Sequence, residues 1–311
     1  MCSSAIAEEL TSADGSTTKL LVRLHDGLRV EAVIMRHDSG AGRYGDAPRP
    51  SVRRATLCVS SQAGCGMGCA FCATGRLSLQ RSLSACEIAE QALHAVASLR
   101  SPLRNVCFMG QGEPLDAYAS VIEAIRLLRA PHSKGGWALA GGRITLSTVG
   151  VVPRMRTLAA DAPGVLLALS LHAPTQELRQ TLVPSAATWR LDALLRAASD
   201  FEAASGTAPL VEYVLLAGVN DGAEQAHDLG RLLASRGWTV NLIPYNEVAG
   251  TGFATPSAEA TTRFQSILRG EYGINTTVRR AMGRDVGGAC GQLASKCVAD
   301  IEEAGRAMAC G

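Results

Sequence analysis

The chain has 311 residues, of which 47% are hydrophobic and 19% are charged, and its formal net charge is +2. This composition excludes a disordered chain and is typical of a globular protein that buries one large core, with room for a small appendage. The near-neutral balance is only a weak indication of nucleic-acid binding, and no apolar run is long enough for a transmembrane helix.

The chain carries 10 cysteines, and its first residues, Met1 to Glu9, lack the charged and apolar regions of a secretory signal peptide. Cysteines in a protein without an export signal are usually reduced and often bind metal. We therefore expect a cytoplasmic protein that does not associate with membranes.

Residues 1–50 are predicted to form a short N-terminal extension. Residues 1–17 are predicted to be frayed or weakly helical. Two strand-like runs follow at 19–24 and 29–35, and His25-Asp26-Gly27 between them is a strong hairpin signal. The extension ends in a long loop that is rich in glycine, proline and arginine.

Residues 51–285 alternate between apolar strands and amphipathic helices. The predicted strands are 55–60, 104–110, 142–148, 165–171, 209–216 and 238–244. The predicted helices lie near 85–98, 118–130, 152–160, 190–204, 223–235 and 256–270. Apolar runs of this kind are typical of parallel strands buried on both faces, so the series predicts an α/β fold, an incomplete (β/α)₆ TIM-like barrel. Residues 286–311 are predicted to form a C-terminal loop and helix.

Two of these helices carry start signals. Ser84 and Glu87 form a capping-box pattern ahead of the helix near 85–98. Thr255 and Pro256 have the pattern of an N-cap followed by proline at the first helical position. We expect one helix to begin at each signal.

Three cysteines, Cys65, Cys69 and Cys72, follow the first barrel strand at the spacing C-x₃-C-x₂-C. Gly66 and Gly68 between them allow the loop to adopt positive φ. Three thiolates can hold three irons of a [4Fe–4S] cube and leave the fourth iron open to a substrate. A structural zinc site needs four closed ligands, and a disulfide knot needs partner cysteines that the pattern does not show, so we favour the cluster.

Polar residues recur where the predicted barrel strands end. Each alone is an ordinary cap or turn residue, but together they mark the carboxyl ends of the strands, where such barrels build active sites. They are Gly112-Glu113, Ser147-Thr148, Ser170-Leu171-His172, Asn220-Asp221 and Asn246. We predict that the active site lies at this edge, beside the cysteine loop.

The spacing of the three cysteines resembles that of the radical S-adenosylmethionine (SAM) superfamily. Further segments resemble, in order, those of the RlmN/Cfr family of radical SAM RNA adenine methyltransferases. They are Thr56 to Gln62 (TLCVSSQ), Gly112-Glu113-Pro114, Ser170-Leu171-His172, Asn241 to Asn246 (NLIPYN) and Ala289 to Leu293 (ACGQL). The resemblance runs from about Val30 to Leu293, so it is specific.

The resemblance implies a cofactor site. Cys65, Cys69 and Cys72 would hold the [4Fe–4S] cluster, and SAM would bind its open iron. Gly112 and Glu113 would hold the SAM amino group. The residues implied to line the rest of the SAM site are Ser147, Ser170, Leu171, His172 and Asn246.

The resemblance also implies roles for two further cysteines and one carboxylate. Cys290 would carry the methyl group as S-methylcysteine, Cys58 would resolve the covalent RNA adduct through a transient disulfide with Cys290, and Glu31 would accept a proton. From the residues alone, both cysteines could be buried small hydrophobes and Glu31 a solvent-facing carboxylate, although the glycines around Cys290 favour a reactive loop. We expect the remaining cysteines to be structural or incidental, namely Cys2, Cys86, Cys107, Cys297 and Cys310.

The predicted function is methyl transfer from SAM to C2 or C8 of an adenosine in RNA, either 23S ribosomal RNA or transfer RNA. Electrons would come from an external donor such as flavodoxin or ferredoxin. Two rival functions stay open. One is the same radical chemistry on a peptide or small molecule, and the other is a non-catalytic iron–sulfur or zinc protein.

Family members usually have a helical N-terminal domain that helps to hold RNA, and here only about 18 residues precede the hairpin. Two basic groups are therefore predicted to contact RNA phosphates instead. They are Arg43, Arg49, Arg53 and Arg54 in the long loop, and Arg279, Arg280 and Arg284 near the C-terminus.

Overall fold

The structure is a computed structural model and describes residues 3–38, 42–44, 47–49, 53–99 and 102–293. Its strands are β1 (Ala5–Thr11), β2 (Thr17–Arg23), β3 (Arg29–Asp38), β4 (Gly42–Tyr44), β5 (Ala47–Arg49), β6 (Arg53–Cys58), β7 (Gln62–Ala63), β8 (Arg81–Ser82), β9 (Leu103–Phe108), β10 (Ile144–Thr148), β11 (Leu166–Ser170), β12 (Leu210–Leu215), β13 (Thr239–Pro244) and β14 (Thr276–Val278). Its helices are α1 (Ala85–Ala97), α2 (Tyr118–Arg129), α3 (Val152–Asp161), α4 (Gln176–Leu182), α5 (Leu191–Ser205), α6 (Ala223–Leu233) and α7 (Ala258–Gly270). The predicted C-terminal helix, with Cys2, Cys297 and Cys310, lies outside the described residues.

Within the described part of the chain, β1-β2-β3-β6-β9-β10-β11-β12-β13-β14 form one ten-stranded sheet in that order. The pairs are antiparallel from β1 to β6 and parallel from β6 to β14. Every predicted barrel strand overlaps one of the parallel strands, so the α/β class and the incomplete barrel are confirmed. Because β3 pairs with β6, the N-terminal extension and the barrel share this sheet.

The two faces of the parallel strands carry different side chains. One face packs against the helices, where Leu57 and Tyr213 are fully buried in the main core. The other face turns inward, and there the register sets Ser170 beside Glu212. The sequence predicted apolar burial on both faces, but the inward face also carries polar residues because it lines a cavity.

Residues 5–11 form an edge strand, so the prediction of a frayed or helical start is wrong. The strand β1 pairs antiparallel with β2, with a shift in register between Ile6 and Glu8. Alanine, glutamate and leucine in this segment favour helix, but that preference is weak and tertiary pairing overrides it. The hairpin predicted at His25-Asp26-Gly27 is confirmed, since it joins the paired strands β2 and β3.

The long arginine-rich loop contains a short hairpin, because β4 pairs antiparallel with β5. The side chains of Arg43 and Arg49 lie outside the described part of the structure. Arg53 and Arg54 begin β6 and are exposed. The Nε of Arg53 lies 3.3 Å from Oδ2 of Asp38, an ion pair at the surface.

One of the two predicted start signals marks the beginning of a helix, and the other does not. In α1 the Ser84 side chain accepts a hydrogen bond from the Glu87 N–H, and the Glu87 carboxylate accepts one from the Ser84 N–H, so the capping box is confirmed. The start predicted at Thr255 is wrong, because Ser257 caps α7 and the Thr255 hydroxyl donates to the Tyr245 carbonyl. Of the helices in the described residues, none is both long and apolar enough to cross a membrane.

We expect Ser84→Ala to lower the free energy of unfolding by about 1 kcal/mol, because the first turn of α1 loses its side-chain acceptor. Urea denaturation followed by circular dichroism measures the change. The matched control is Ser266→Ala, a serine inside α7 that caps no helix. Equal stability of the two variants would show that the cap contributes nothing.

Candidate active site

A cavity opens at the carboxyl ends of the parallel strands and includes about 1020 Å³ of space up to its open mouth. The structure brings ten of the predicted site residues to its lining, namely Cys65, Cys69, Cys72, Gly112, Glu113, Ser147, Ser170, His172, Asn246 and Cys290. The other three, which also belong to the described residues, are buried outside this lining. They are Cys58, Leu171 and Glu31.

The three-cysteine loop follows β6 and is tied to the C-terminal segment. Gly68 has φ of +68°, as predicted, whereas the other left-handed glycine here is Gly64 at +80° and not Gly66. A Cβ atom on Gly64 would lie 2.2 Å from the Ser78 carbonyl oxygen, so only glycine fits there. Just after the loop, the Ala73 N–H donates to the Gly291 carbonyl at 2.8 Å, next to Cys290.

The donor set fits an iron–sulfur cluster better than a single metal ion. Cys65, Cys69 and Cys72 line one cavity, yet in the residues that the structure describes no three His, Cys, Asp or Glu side chains converge as ligands of one ion. The ligands of a [4Fe–4S] cube each bind a different iron, whereas zinc ligands meet at one point.

Gly112 and Glu113 place a carboxylate in the cavity wall. Gly112 has φ of +96°, and a Cβ there would lie 2.5 Å from Cβ of Gln62, so a side chain is excluded. The Glu113 carboxylate accepts hydrogen bonds from the N–H groups of Leu115 at 3.0 Å and Val149 at 2.9 Å. Burial raises the pKa of Glu113 to about 7, although these two hydrogen bonds oppose the rise.

Ser147, Ser170 and Asn246 line the same wall. The hydroxyl groups of the two serines lie 3.0 Å apart and share a hydrogen bond. The Asn246 side chain donates to the Cys290 carbonyl at 3.1 Å and accepts from Nε of Arg284 at 2.8 Å. Arg284, predicted to contact RNA, therefore orients a residue of the cavity.

His172 has a strained backbone that its neighbours hold in place. Its φ of +63° is rare for a residue other than glycine. Its Nδ1 accepts from the Val214 N–H at 3.1 Å, and Asn220 donates to its carbonyl at 2.8 Å. Burial lowers the pKa of His172 to about 3, so the ring is neutral and Nε2 carries its proton. Such over-determined strain is typical of functional sites.

Arg179 supports the cavity and was missed in the sequence. It is only 1% exposed, and its guanidinium donates to the carbonyls of Leu171 at 3.0 Å, Ser170 at 3.3 Å and Val149. Burial lowers its pKa to about 10. The side chain thus holds the ends of β10 and β11 together, but a single arginine in a short helix gives no sequence signal of burial.

Three thiols gather beside Arg279, which also lines the cavity. Burial lowers the pKa of Arg279, but Cys290, Glu212, Cys107 and Cys58 outweigh that effect and raise it overall. Cys290 is exposed as a residue, but desolvation of its thiol against the cavity wall raises the pKa of Cys290, and the Arg279 charge opposes the rise. Arg279 is half-buried, and its charge acts on all three thiols, whereas its predicted contact with RNA stays a prediction.

Glu31 is fully buried and not solvent-facing. Its Oε1 lies 3.1 Å from Nζ of Lys19, and both side chains are almost completely buried. Lys19 also approaches the Gly287 carbonyl at 3.5 Å. The pair therefore lies beneath the segment that carries Cys290.

The fold and the three-cysteine loop define a radical SAM protein, and the family model described as the Radical SAM superfamily matches residues 59–229. A Frankia alni protein named a probable dual-specificity RNA methyltransferase RlmN is 46% identical over 97% of this chain and 68% of its own length. A Nitrosopumilus maritimus protein named ribosomal RNA large subunit methyltransferase N is 40% identical over 93% of this chain and 80% of its own. A radical SAM methyltransferase from Sphaerobacter thermophilus, a crystal structure, matches with a TM-score of 0.84 and 38% identity over 94% of this chain and 82% of that one.

The chain therefore belongs to the RlmN/Cfr family of radical SAM methyltransferases. Its cofactors are accordingly a [4Fe–4S] cluster and SAM.

We expect SAM affinity to rise with pH through about 7, because the ionised Glu113 carboxylate is the stronger acceptor for the N–H groups of the SAM amino group. Below pH 7 each unit should weaken binding by up to about tenfold. Glu113→Gln should bind SAM more weakly and lose this step in the profile. Anaerobic equilibrium dialysis of cluster-loaded protein at pH 6, 7 and 8 measures it.

The control for that experiment is Glu123→Gln, an exposed carboxylate on α2 whose loss should leave the profile unchanged. Only the difference between the wild-type and Glu113→Gln profiles is diagnostic, since SAM itself titrates. Identical slopes in the two proteins would show that Glu113 does not bind the SAM amino group.

Proposed function

We propose that the enzyme transfers a methyl group from SAM to C2 or C8 of an adenosine in RNA, with Cys290 as the methyl carrier. The placement of Cys290 carries the proposal. Its thiol faces the cavity that the cluster cysteines line, and its carbonyl is held by Asn246. The names of the two relatives support an RNA substrate, and one of them names the RNA of the large ribosomal subunit. The proposed substrates are 23S ribosomal RNA and transfer RNA.

The chemistry explains why a thiol carrier is needed. C2 and C8 of adenine are electrophilic, so a methyl cation cannot be delivered to them directly. When bound, the cluster and SAM supply the one-electron chemistry that activates a methyl group on sulfur. The chain must first present Cys290 as a thiolate, and the Arg279 guanidinium favours that form.

Release of the product requires the second thiol. Once a methylene group joins the Cys290 sulfur to the adenine carbon, a base removes the proton from that carbon. The Cys58 thiolate then attacks the Cys290 sulfur, and the carbon–sulfur bond breaks as the disulfide forms. The methylene carbon leaves with the electron pair and takes up a proton, which makes it the methyl group of the product. A hydrogen bond with Cys107 and burial raise the pKa of Cys58, while Arg279 lowers it, so Cys58 rests as a thiol.

Glu31 is the proposed base. It lies on β3 two residues before Val33, which pairs with Cys58, and alternate strand residues share a face. Its partner Lys19 reaches the backbone of the segment that carries Cys290. These contacts support a position close to the adduct, on the inward face of the sheet.

Two partners complete the proposal. Arg53 and Arg54 project from the start of β6, and with Arg43 and Arg49 they would bind RNA phosphates and leave base selection to the cavity. A flavodoxin or ferredoxin would supply electrons to the cluster. The proposed location of the enzyme is the cytoplasm.

We expect Cys290→Ala and Cys58→Ala to fail at different stages. Cys290→Ala should show neither S-methylcysteine nor an RNA adduct. Cys58→Ala should still acquire the methyl group on Cys290 and then accumulate a covalent protein–RNA species. Peptide mass spectrometry and denaturing gels measure the two products, and they also test the proposed function as a whole.

The control is Cys86→Ala, an exposed cysteine on α1 that should behave as the wild type. Wild-type enzyme without S-methylcysteine at Cys290 would reject the proposal in favour of radical chemistry on a peptide or small molecule. Normal turnover by Cys58→Ala would reject the role of the second thiol alone.

We expect the variant with Arg43, Arg49, Arg53 and Arg54 all changed to Ala to bind RNA more weakly and with a flatter salt dependence. The slope of log affinity against log salt should fall by about 0.7 for each RNA phosphate that the variant no longer neutralises. Methylation of Cys290 should persist, because that step needs no RNA. Filter binding at several salt concentrations measures the slope.

A matched variant removes the same charge from the opposite layer of the fold, by changing Arg126, Arg129, Arg156 and Arg196 on the helices to Ala. Its slope should equal that of the wild type. If both variants gave the same slope, the arginine-rich loop would be an ordinary solvated insertion.

A further inference from the structure

We propose that Cys107 is a third reactive thiol of this enzyme, which takes over the disulfide from Cys290 by exchange at Cys58. The inference rests on the proposed function, because it concerns the disulfide that methyl transfer leaves behind. The sequence alone predicts an incidental role for Cys107.

The sheet register places Cys107 directly beside Cys58. The two residues are paired on the neighbouring parallel strands β9 and β6. Neighbouring strands lie about 4.8 Å apart, which is within the Cα separation of about 4.4–6.8 Å that a disulfide spans. Both are present as free thiols, and their side chains are joined by a hydrogen bond. The pair can therefore close without a change of register.

The surroundings keep this pair out of the open cavity. Cys58 and Cys107 are 9% and 7% exposed, and they pack with Val33 and Leu293 in a small cluster of their own. Leu293 follows Cys290 by three residues, so the segment that carries Cys290 also covers the pair. External reductants thus meet Cys290, at the cavity, before they meet the buried pair.

The exchange step is balanced within the protein. The Cys107 thiolate attacks the Cys58 sulfur of the Cys58–Cys290 disulfide, forming the Cys58–Cys107 bond. The Cys58–Cys290 bond breaks, and Cys290 leaves as a thiolate that can take up the proton that Cys107 lost. No oxidant or reductant is consumed, and one disulfide replaces another. Cys290 becomes free to accept the next methyl group.

The charges around the pair suit this step. The Arg279 cation favours the thiolate of Cys107 and also that of the departing Cys290, while Glu212 opposes both. In the reduced pair, the hydrogen bond from Cys58 lowers the pKa of Cys107. Once Cys58 is oxidised that hydrogen bond is gone, and Arg279 is the group that continues to favour the attacking thiolate.

The first experiment is a single turnover with RNA and SAM in the loaded enzyme, quenched in acid, alkylated and digested with trypsin. Cys107 and Cys290 fall on separate peptides, 105–126 and 285–296, and Cys58 falls on 55–76. Because Cys65, Cys69 and Cys72 share the peptide 55–76, fragment-ion spectra assign the cross-linked cysteine. We expect a cross-link between 55–76 and 105–126, with Cys290 alkylated. A cross-link from 55–76 to 285–296 alone, with Cys107 alkylated, would overturn the proposal.

A second experiment needs neither cluster nor substrate. The full-length chain with Cys290→Ala, and with the cluster removed, is equilibrated in glutathione redox buffers. We expect a disulfide between Cys58 and Cys107 to form as the buffer becomes oxidising. If both thiols stayed free over the whole range, the cross-strand pair could not close and the proposal would be wrong.

The variant Cys107→Val separates exchange from packing, because valine has a similar volume and cannot form a disulfide. Its melting temperature should match that of the wild type. After a single turnover the Cys58–Cys290 disulfide should persist, and alkylation of Cys290 should fall several-fold. Unchanged alkylation of Cys290 would reject the exchange. If the exchange is rejected but S-methylcysteine is detected in the wild type, the proposed function is still supported.

Discussion

The segment from Arg279 to Leu293 crosses the open ends of the parallel strands, and the site depends on the hydrogen bonds that hold it there. At one end the Arg279 N–H donates to the Leu242 carbonyl at 2.8 Å, and at the other the Thr74 hydroxyl donates to the Leu293 carbonyl at 3.0 Å. Thr74 follows the cluster loop directly. Because buried backbone groups must be paired, the segment that carries Cys290 and the cluster loop are fixed as one unit.

Two arginines, the buried Arg179 and the half-buried Arg279, stabilise this unit in different ways. The guanidinium of Arg179 donates to backbone carbonyls, which are dipoles, and burial lowers its pKa although the nearby Cys69 thiol opposes the fall. Arg279 meets Glu212 and the thiols, which can carry full negative charge, and its pKa is raised. A buried cation needs such partners, because its desolvation is otherwise costly. If Cys290 is methylated or oxidised as proposed, Arg279 loses one partner and is balanced by the remaining thiols and Glu212.

The sequence predicted the barrel strands, the cluster loop and ten residues of the cavity lining. The hydrophobic pattern of the strands, the spacing of the cysteines and the polar residues at strand ends are all local signals. The sequence-based prediction failed where contacts between distant segments decide the structure. The β1 segment has helix-forming residues, and only pairing with β2 makes it a strand. Two further placements have no local signal at all, namely that Arg279 lines the cavity and that the register sets Cys107 beside Cys58.

The N-terminal strands pack directly against the segment that carries Cys290. The Ala13 N–H donates to the Asp285 carboxylate at 2.9 Å, and a Cβ on Gly283 would lie 2.5 Å from Cγ2 of Thr17, so β2 and the C-terminal segment are in close contact. The buried pair of Lys19 and Glu31 lies between them. Removing either member would leave the other as an uncompensated buried charge, which is strongly unfavourable. The extension and the segment that carries Cys290 therefore stabilise each other at this contact.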